Sequence, residues 1–334
     1  MPKNTARKSL FSLMIRCAAA GVLLLAVPAT QAGAADYPQR NVRFIIPFSA
    51  GGGADVLLRI LANALADHWG HPTTVENRVG GNTVVGTIAA IGSPNDGYTL
   101  LFAGDQSITI NPAMMTNLPY TVQKDLVPIT LVAKNPMLLV VTNSTPAKNL
   151  KEFIALAKAK PEGITFGSSG AGSTPHLSAE LFQYMTGIKL VHVPYKGSGA
   201  GMVALLSGEI SMYFANIPVA IQHVRNGRLR PVALSGTRRN PAVPGIPTLS
   251  ESGLVGFDVT SWFGIAAPAK TPRAIVDQLN GAIVRAVNTP DLRARFLDQG
   301  AEPVGNSPEQ YTAFIEREIA KWAKVIKAAG IKAQ

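Results

Sequence analysis

The sequence predicts an α/β protein with mostly parallel sheets, and three observations carry that expectation. Short apolar runs alternate with stretches whose apolar residues recur every three to four positions. That alternation places helices on both faces of a parallel sheet. The chain has 334 residues, which at roughly 150 residues per domain allows two such sheets. Hydrophobic residues make up 47% and charged residues 15%. This is enough apolar side chain for packed cores and too little charge for a disordered chain.

The elements follow in order. Val42–Ile46 is a short buried strand. A glycine turn leads to a helix on which Val56, Leu57, Ile60, Leu61, Ala64 and Leu65 form one apolar face. Thr74–Glu76 reads as a strand, Val84–Ile91 as a helix, and Tyr98–Phe102 and Leu138–Val141 as buried strands. Leu150–Lys160 is helical, with Leu150, Phe153, Ile154 and Ala157 on one side. Ile164–Phe166 is a strand, and Pro175–Thr186 a helix opened by proline in its first turn. Strands continue at Leu190–Val193, Ile210–Phe214 and Leu229–Leu234, with helices starting near Ser198 and Pro218. Pro272–Val287 and Ser307–Ala329 are long helices. The last carries Tyr311, Phe314, Ile315, Ile319, Trp322, Val325 and Ile326 on one stripe.

The first 34 residues read as a secretory signal. Lys3, Arg7, Lys8 and Arg16 precede the apolar run Ala18–Val27, and Ala32-x-Ala34 supplies small residues for cleavage. The run is shorter than the roughly 20 residues of a spanning helix, which disfavours an anchor. Cys17 lies before the run rather than after it, which disfavours a lipoprotein. The segment holds four of the 31 basic residues and none of the 20 acidic ones, so cleavage lowers the formal charge from +11 to +7. It also removes the one cysteine, leaving a thiol-free chain suited to an oxidising compartment. The expected location is the periplasm. The mild positive charge favours small anions. The basic residues are scattered and no nucleic-acid motif appears, so no nucleic-acid partner is expected.

Two glycine-rich loops stand between a strand and a helix. They are Pro47–Asp55 (PFSAGGGAD) and Gly167–His176 (GSSGAGSTPH). Each exposes backbone N–H groups at a helix N-terminus and can hold a carboxylate or phosphate without a cationic side chain. Ser49, Ser168, Ser173 and Thr174 add hydroxyls. In open parallel sheets such loops lie at the carboxyl ends of the strands, where ligands bind. Neither loop completes GxGxxG and no GxxxxGK exists, which disfavours a nucleotide. No GxSxG elbow, HExxH or helical histidine pair is present, so no catalytic residue, metal or cofactor is expected. Of the five histidines, His176 alone is placed near a ligand. His68 and His71 sit at a helix end and the following turn, and His192 packs in a strand.

Read together, several segments resemble one family. They are Pro47–Asp55, Glu76–Gly81 (ENRVGG), Asp96–Leu100 (DGYTL), His192–Gly197 (HVPYKG), Pro247–Gly253 (PTLSESG) and the Pro268-x-x-Thr271-Pro272 step. In order and spacing they are similar to the Bug/TctC extracytoplasmic solute-binding proteins of tripartite tricarboxylate transporters, over residues 37 to 331. The resemblance implies a two-domain Venus-flytrap of the type II periplasmic-binding kind. Residues 35–138 and 258–334 would form domain one and 139–257 domain two, with crossings near Met137–Val140 and Gly256–Thr260. It implies a monomeric binding protein, not an enzyme, that passes a small carboxylate or amino acid to membrane permease subunits. A sensor feeding a signalling system is the alternative, and a secreted α/β hydrolase a more remote one.

The candidate contacts are then Phe48, Ser49, Ala50, Gly51, Gly52, Asp55, Gly81, Asn82, Asp105 and Ser107 from domain one. Domain two would add Ser168, Gly170, Gly172, Ser173, Thr174, His176 and Asn216. The chain departs from the family pattern at Val79-Gly80-Gly81-Asn82, at Asn216 and at Asp105. A carboxylate at Asp105 is expected either to bond its own turn or to favour a ligand with an ammonium or hydroxyl group.

Overall fold

The computed structural model describes residues 37–328, 330 and 331. The expected signal segment lies outside the described residues. The chain runs β1 (Val42–Ile46), α1 (Gly53–Trp69), β2 (Thr73–Asn77), α2 (Val84–Ile91) and β3 (Thr99–Gly104). A π-turn, Gln106–Ile110, enters the short α3 (Asn111–Met114), and α4 (Val122–Asp125) leads into β4 (Leu126–Thr142). Then come α5 (Leu150–Ala159), β5 (Thr165–Ser168), α6 (Thr174–Thr186), β6 (Val191–Pro194), α7 (Ser198–Ser207), β7 (Met212–Asn216), α8 (Ile217–Arg225) and β8 (Leu229–Leu234). Last are β9 (Thr260–Pro268), α9 (Arg273–Val287), α10 (Pro290–Asp298), β10 (Glu302–Pro303) and α11 (Pro308–Ala328).

The strands lie in the order β2-β1-β3-β9-β4-β7-β5-β6, with β8 and β10 pairing on β4. The outer strands are parallel, as strand–helix alternation requires: β1 pairs β2 and β3, and β5 pairs β6 and β7. The expectation of mostly parallel pairing stops there. β4 and β9 run antiparallel to each other and to their outer neighbours. The physical reason is connectivity. β4 carries the chain from the first strand group into the second and β9 carries it back, so the two run in opposite directions.

The inner strands of each group are buried on both faces, which is why strands such as β1 and β3 read as unbroken apolar runs, whereas the edge strands β2 and β6 are partly exposed. Side chains alternate between faces with period two. Phe44 and Ile46 join Leu57, Leu61, Leu279 and Ile283 on one face, while Ile45 joins Leu101, Trp262 and Tyr311 on the other. Leu139 and Val141 pack with Phe153, Phe166, Phe182 and Phe214, whereas Leu138 and Val140 pack with Tyr213, Ile217 and Ile221. The stripe on α11 divides. Tyr311 and Ile315 pack on the first group, and Trp322 and Ile326 enter the core of the second.

Candidate functional site

The loop after β1 is built by one buried carboxylate. Asp55 Oδ2 accepts from the Gly51 N–H at 3.0 Å and from Arg59 Nε at 2.9 Å, and Oδ1 accepts from Asn77 Nδ2 at 2.9 Å. The same Asn77 amide donates to the Phe48 carbonyl at 3.0 Å. Burial alone would raise the Asp55 pKa, but the hydrogen bonds from Arg59, Gly51 and Asn77 outweigh it and hold the carboxyl below its ordinary value. The Phe48 ring meets Phe263 edge-on at 6.0 Å, and Phe263 stacks on Phe102 at 5.6 Å.

The loop after β5 is braced in a similar way. Ser168 Oγ donates to the Gly170 carbonyl at 3.0 Å and lies 2.6 Å from His192 Nε2. Ser173 Oγ donates to the same carbonyl at 2.6 Å. The Gly172 N–H donates to His176 Nδ1 at 3.0 Å. His176 and His192 stack with centroids 4.0 Å apart, and His192 lies on Phe166 at 4.8 Å. Burial, and then the neighbouring His176, push the His192 pKa down to about 4, so His192 is neutral near pH 7.

Between these loops lies a cavity of about 520 Å³, within the range of small-molecule sites. Five helix N-termini reach its wall. They are those of α1 at Gly52–Ala54, α2 at Thr83, α6 at Thr174–Pro175, α7 at Gly197–Ser198 and α8 at Asn216. None is closed by its N-cap side chain. Gly52 and Gly197 have none, and the Ser173 hydroxyl is spent on Gly170. By contrast, α5 and α10 begin with side-chain caps from Asn149 and Thr289. The first two N–H groups of α2 donate to the Gly81 and Gly80 carbonyls; at the other four helices uncapped first-turn N–H groups and the positive ends of the dipoles converge on one volume. Among the described residues, the only charged side chains on the wall are Asp105 and Lys196. Two polar atoms of wall residues are buried without a hydrogen bond: Asp105 Oδ2 and Asn216 Nδ2.

Of the expected contacts, Phe48, Ser49, Gly52, Gly81, Asn82, Asp105, Gly170, Thr174 and Asn216 lie together on this wall. The others stand behind it. Asp55 and Gly51 form the first clamp, and Ala50 sits at the exposed tip of that loop. Ser107 Oγ bonds the Gly104 carbonyl at 3.2 Å. Ser168, Gly172, Ser173 and His176 hold the second loop in shape. Asp105 bonds its own turn, as one of the two readings expects. Its Oδ1 accepts from the Gln106 N–H at 2.9 Å, while the residue also lines the cavity. Burial pushes its carboxyl up to about 7, against the nearby Thr174, Gln106 and Ser261 donors and with help from Glu318.

Sequence reasoning missed the loop Tyr195–Ser198 with Lys196, and the β9 residues Ser261 and Phe263. The first has a signal, a third strand–glycine–helix step at Gly197. The second has none: the sequence reading places no strand at Thr260–Pro268, and no glycine loop or helix start marks Ser261 or Phe263.

A family model described as "Tripartite tricarboxylate transporter family receptor" matches residues 57–331. Protein BugT of Bordetella pertussis is 37% identical over 297 residues, covering 89% of this chain and 91% of that protein. The UPF0065 protein in the gbd 5′ region of Cupriavidus necator is 36% identical over 328 residues, covering 96% and 97%. Among solved structures, an R. palustris protein with adipate superposes with a TM-score of 0.87 at 34% identity, covering 89% of this chain and 99% of that one. MatC from Rhodopseudomonas palustris with bound malate gives 0.81 at 30% identity, covering 87% and 100%.

Proposed function

The chain belongs to the tripartite tricarboxylate transporter receptor family, a family of binding proteins rather than enzymes, and from that premise we propose that it captures a small organic dicarboxylate and delivers it to membrane permease subunits. One observation carries the reading: five helix N-termini without side-chain caps, four of them with free first-turn N–H groups, converge on a single cavity whose wall holds one lysine and one aspartate. Such N-termini supply oriented N–H donors and partial positive charge, which is what a carboxylate needs once it leaves water. The relatives solved with adipate and malate support the class of ligand.

In this reading the segments 35–138 and 258–334 form one lobe and 139–257 the other, and β4 and β9 serve as the hinge. The ligand contacts are Phe48, Ser49, Gly52, Gly81, Asn82, Asp105, Gly170, Thr174 and Asn216, joined by Lys196 and Ser261. The protein works in the periplasm after export. A thermal-shift screen of mono- and dicarboxylates tests this, because a ligand of the native state raises the melting temperature. Adipate, malate or succinate should raise it in a saturable way without being consumed. No response to any carboxylate would end the reading.

A further inference from the structure

Asp105 is 2% exposed and lies on the cavity wall, where Oδ2 has no partner at full hydrogen-bond geometry, although the Thr174 and Ser261 hydroxyls stand near the carboxyl. On the same wall, Asn216 Nδ2 is a buried donor without an acceptor. An unpaired buried polar atom costs free energy unless a ligand or water completes it. The π-turn that carries Asp105, α3 and β3 place no charged side chain against it. From α11, Glu318 faces it and acts against a negative charge there, and Tyr311 lies close enough for Asp105 to push its phenol up. Glu318 is itself near Lys321, at 3.7 Å. From α6 comes the Thr174 hydroxyl, while His176 and Glu180 on that helix lie 3.5 Å from each other. From β9 comes the Ser261 hydroxyl, and from the cavity wall Lys196. A ligand carboxylate held by the helix N-termini adds another negative charge beside Asp105, which favours the neutral acid.

Building on the carboxylate reading above, we propose that Asp105 takes a proton as the cavity fills and donates it as a hydrogen bond to a ligand carboxylate, so that capture of a dianion removes one proton from solution. The proton passes from water or buffer to Oδ2. An O–H bond forms there and no other covalent bond changes. The orphan oxygen becomes a donor, and two carboxyl groups sit together with one proton between them, as two adjacent carboxylates could not. The ligand class this selects is a fully ionised dicarboxylate, in preference to an amino acid whose ammonium would need an ionised Asp105.

The test is calorimetric titration at pH 6.5 and 8.5 with adipate, malate and succinate, using whichever binds most tightly. Because the free carboxyl titrates at about 7, linkage predicts roughly twenty-fold weaker binding at pH 8.5 than at 6.5. Asp105→Asn keeps a donor without a titration and should bind within about twofold equally at both values. Repeating the wild-type titration at pH 8 in buffers of different ionisation heat should show close to one proton taken up per ligand, and this readout needs no variant. Equal wild-type affinity at the two pH values, zero proton uptake, or a pH dependence that survives in Asp105→Asn would each overturn the proposal. So would affinity for glutamate that rises with pH and exceeds that for the dicarboxylate. Binding of no carboxylate at either pH would remove the transport reading, and the proton coupling with it.

Discussion

Gly53, on the cavity wall, faces Asn216 of the second strand group. A Cβ there would lie 3.0 Å from Cβ of Asn216. Its backbone is that of an ordinary helix first turn, so a larger side chain acts as a wedge and not through backbone strain. Gly53→Leu should weaken carboxylate binding by an order of magnitude or more while shifting the melting temperature by only a few degrees. Titration and thermal melting on the same variant check it, and unchanged affinity would contradict it. Asp105 gives a second prediction at this scale, for the protein without ligand. Its folded pKa is raised to about 7, above the unfolded value. The native state therefore binds more protons than the unfolded one between pH 4 and 7, and stability falls as pH rises through that window. Above it the penalty is on the order of 2–4 kcal/mol. Asp105→Asn should melt several degrees higher than wild type at pH 8 and gain little at pH 4. A gain that does not depend on pH would show that burial of the charge is not the cause.

Elements explain which parts of the molecule were legible in its sequence. Strands such as Val42–Ile46 and Leu138–Val141 show themselves because both faces are buried and every position is apolar. The first half of β4 is hidden by Pro128, Lys134, Asn135 and Pro136, which interrupt the apolar run although the strand continues through them. The short α10 carries Asp291, Arg293, Arg295 and Asp298 around two buried residues, Leu292 and Phe296, so it has little apolar face to detect. The glycine loops were legible as donor-rich turns. Which of their residues face the ligand was not, because that depends on the clamps behind them. Ser168 and His176 have the chemistry of ligand contacts but spend it on loop carbonyls and N–H groups. The first clamp yields a prediction for its element. Asp55→Ala removes the acceptor of the Gly51 N–H and one of the two acceptors of the Asn77 amide, and frees the loop that opens α1. Loss of buried hydrogen bonds of this kind costs about 1–3 kcal/mol, and binding should weaken beyond what the stability loss explains. Denaturant melts and titration of Asp55→Ala and Asp55→Asn separate the two effects, and full affinity in both variants would show that the loop needs no clamp.

For the whole molecule, β4 and β9 join the two strand groups by antiparallel pairing, and α11 lies across both cores. A few hinge residues on two strands can absorb a rigid-body closure. Small-angle scattering should show a smaller radius of gyration at saturating ligand, and the wedge at Gly53 should abolish the change. No compaction in the wild type would contradict closure. The central claim is that helix N-termini, and not cationic side chains, hold the ligand carboxylate. A crystal structure of the complex with the tightest dicarboxylate tests it most directly. The account predicts carboxylate oxygens within hydrogen-bond distance of backbone N–H groups at Gly52–Ala54 and Thr174. A ligand held elsewhere, or gripped only by Lys196 with those N–H groups facing water, would contradict it.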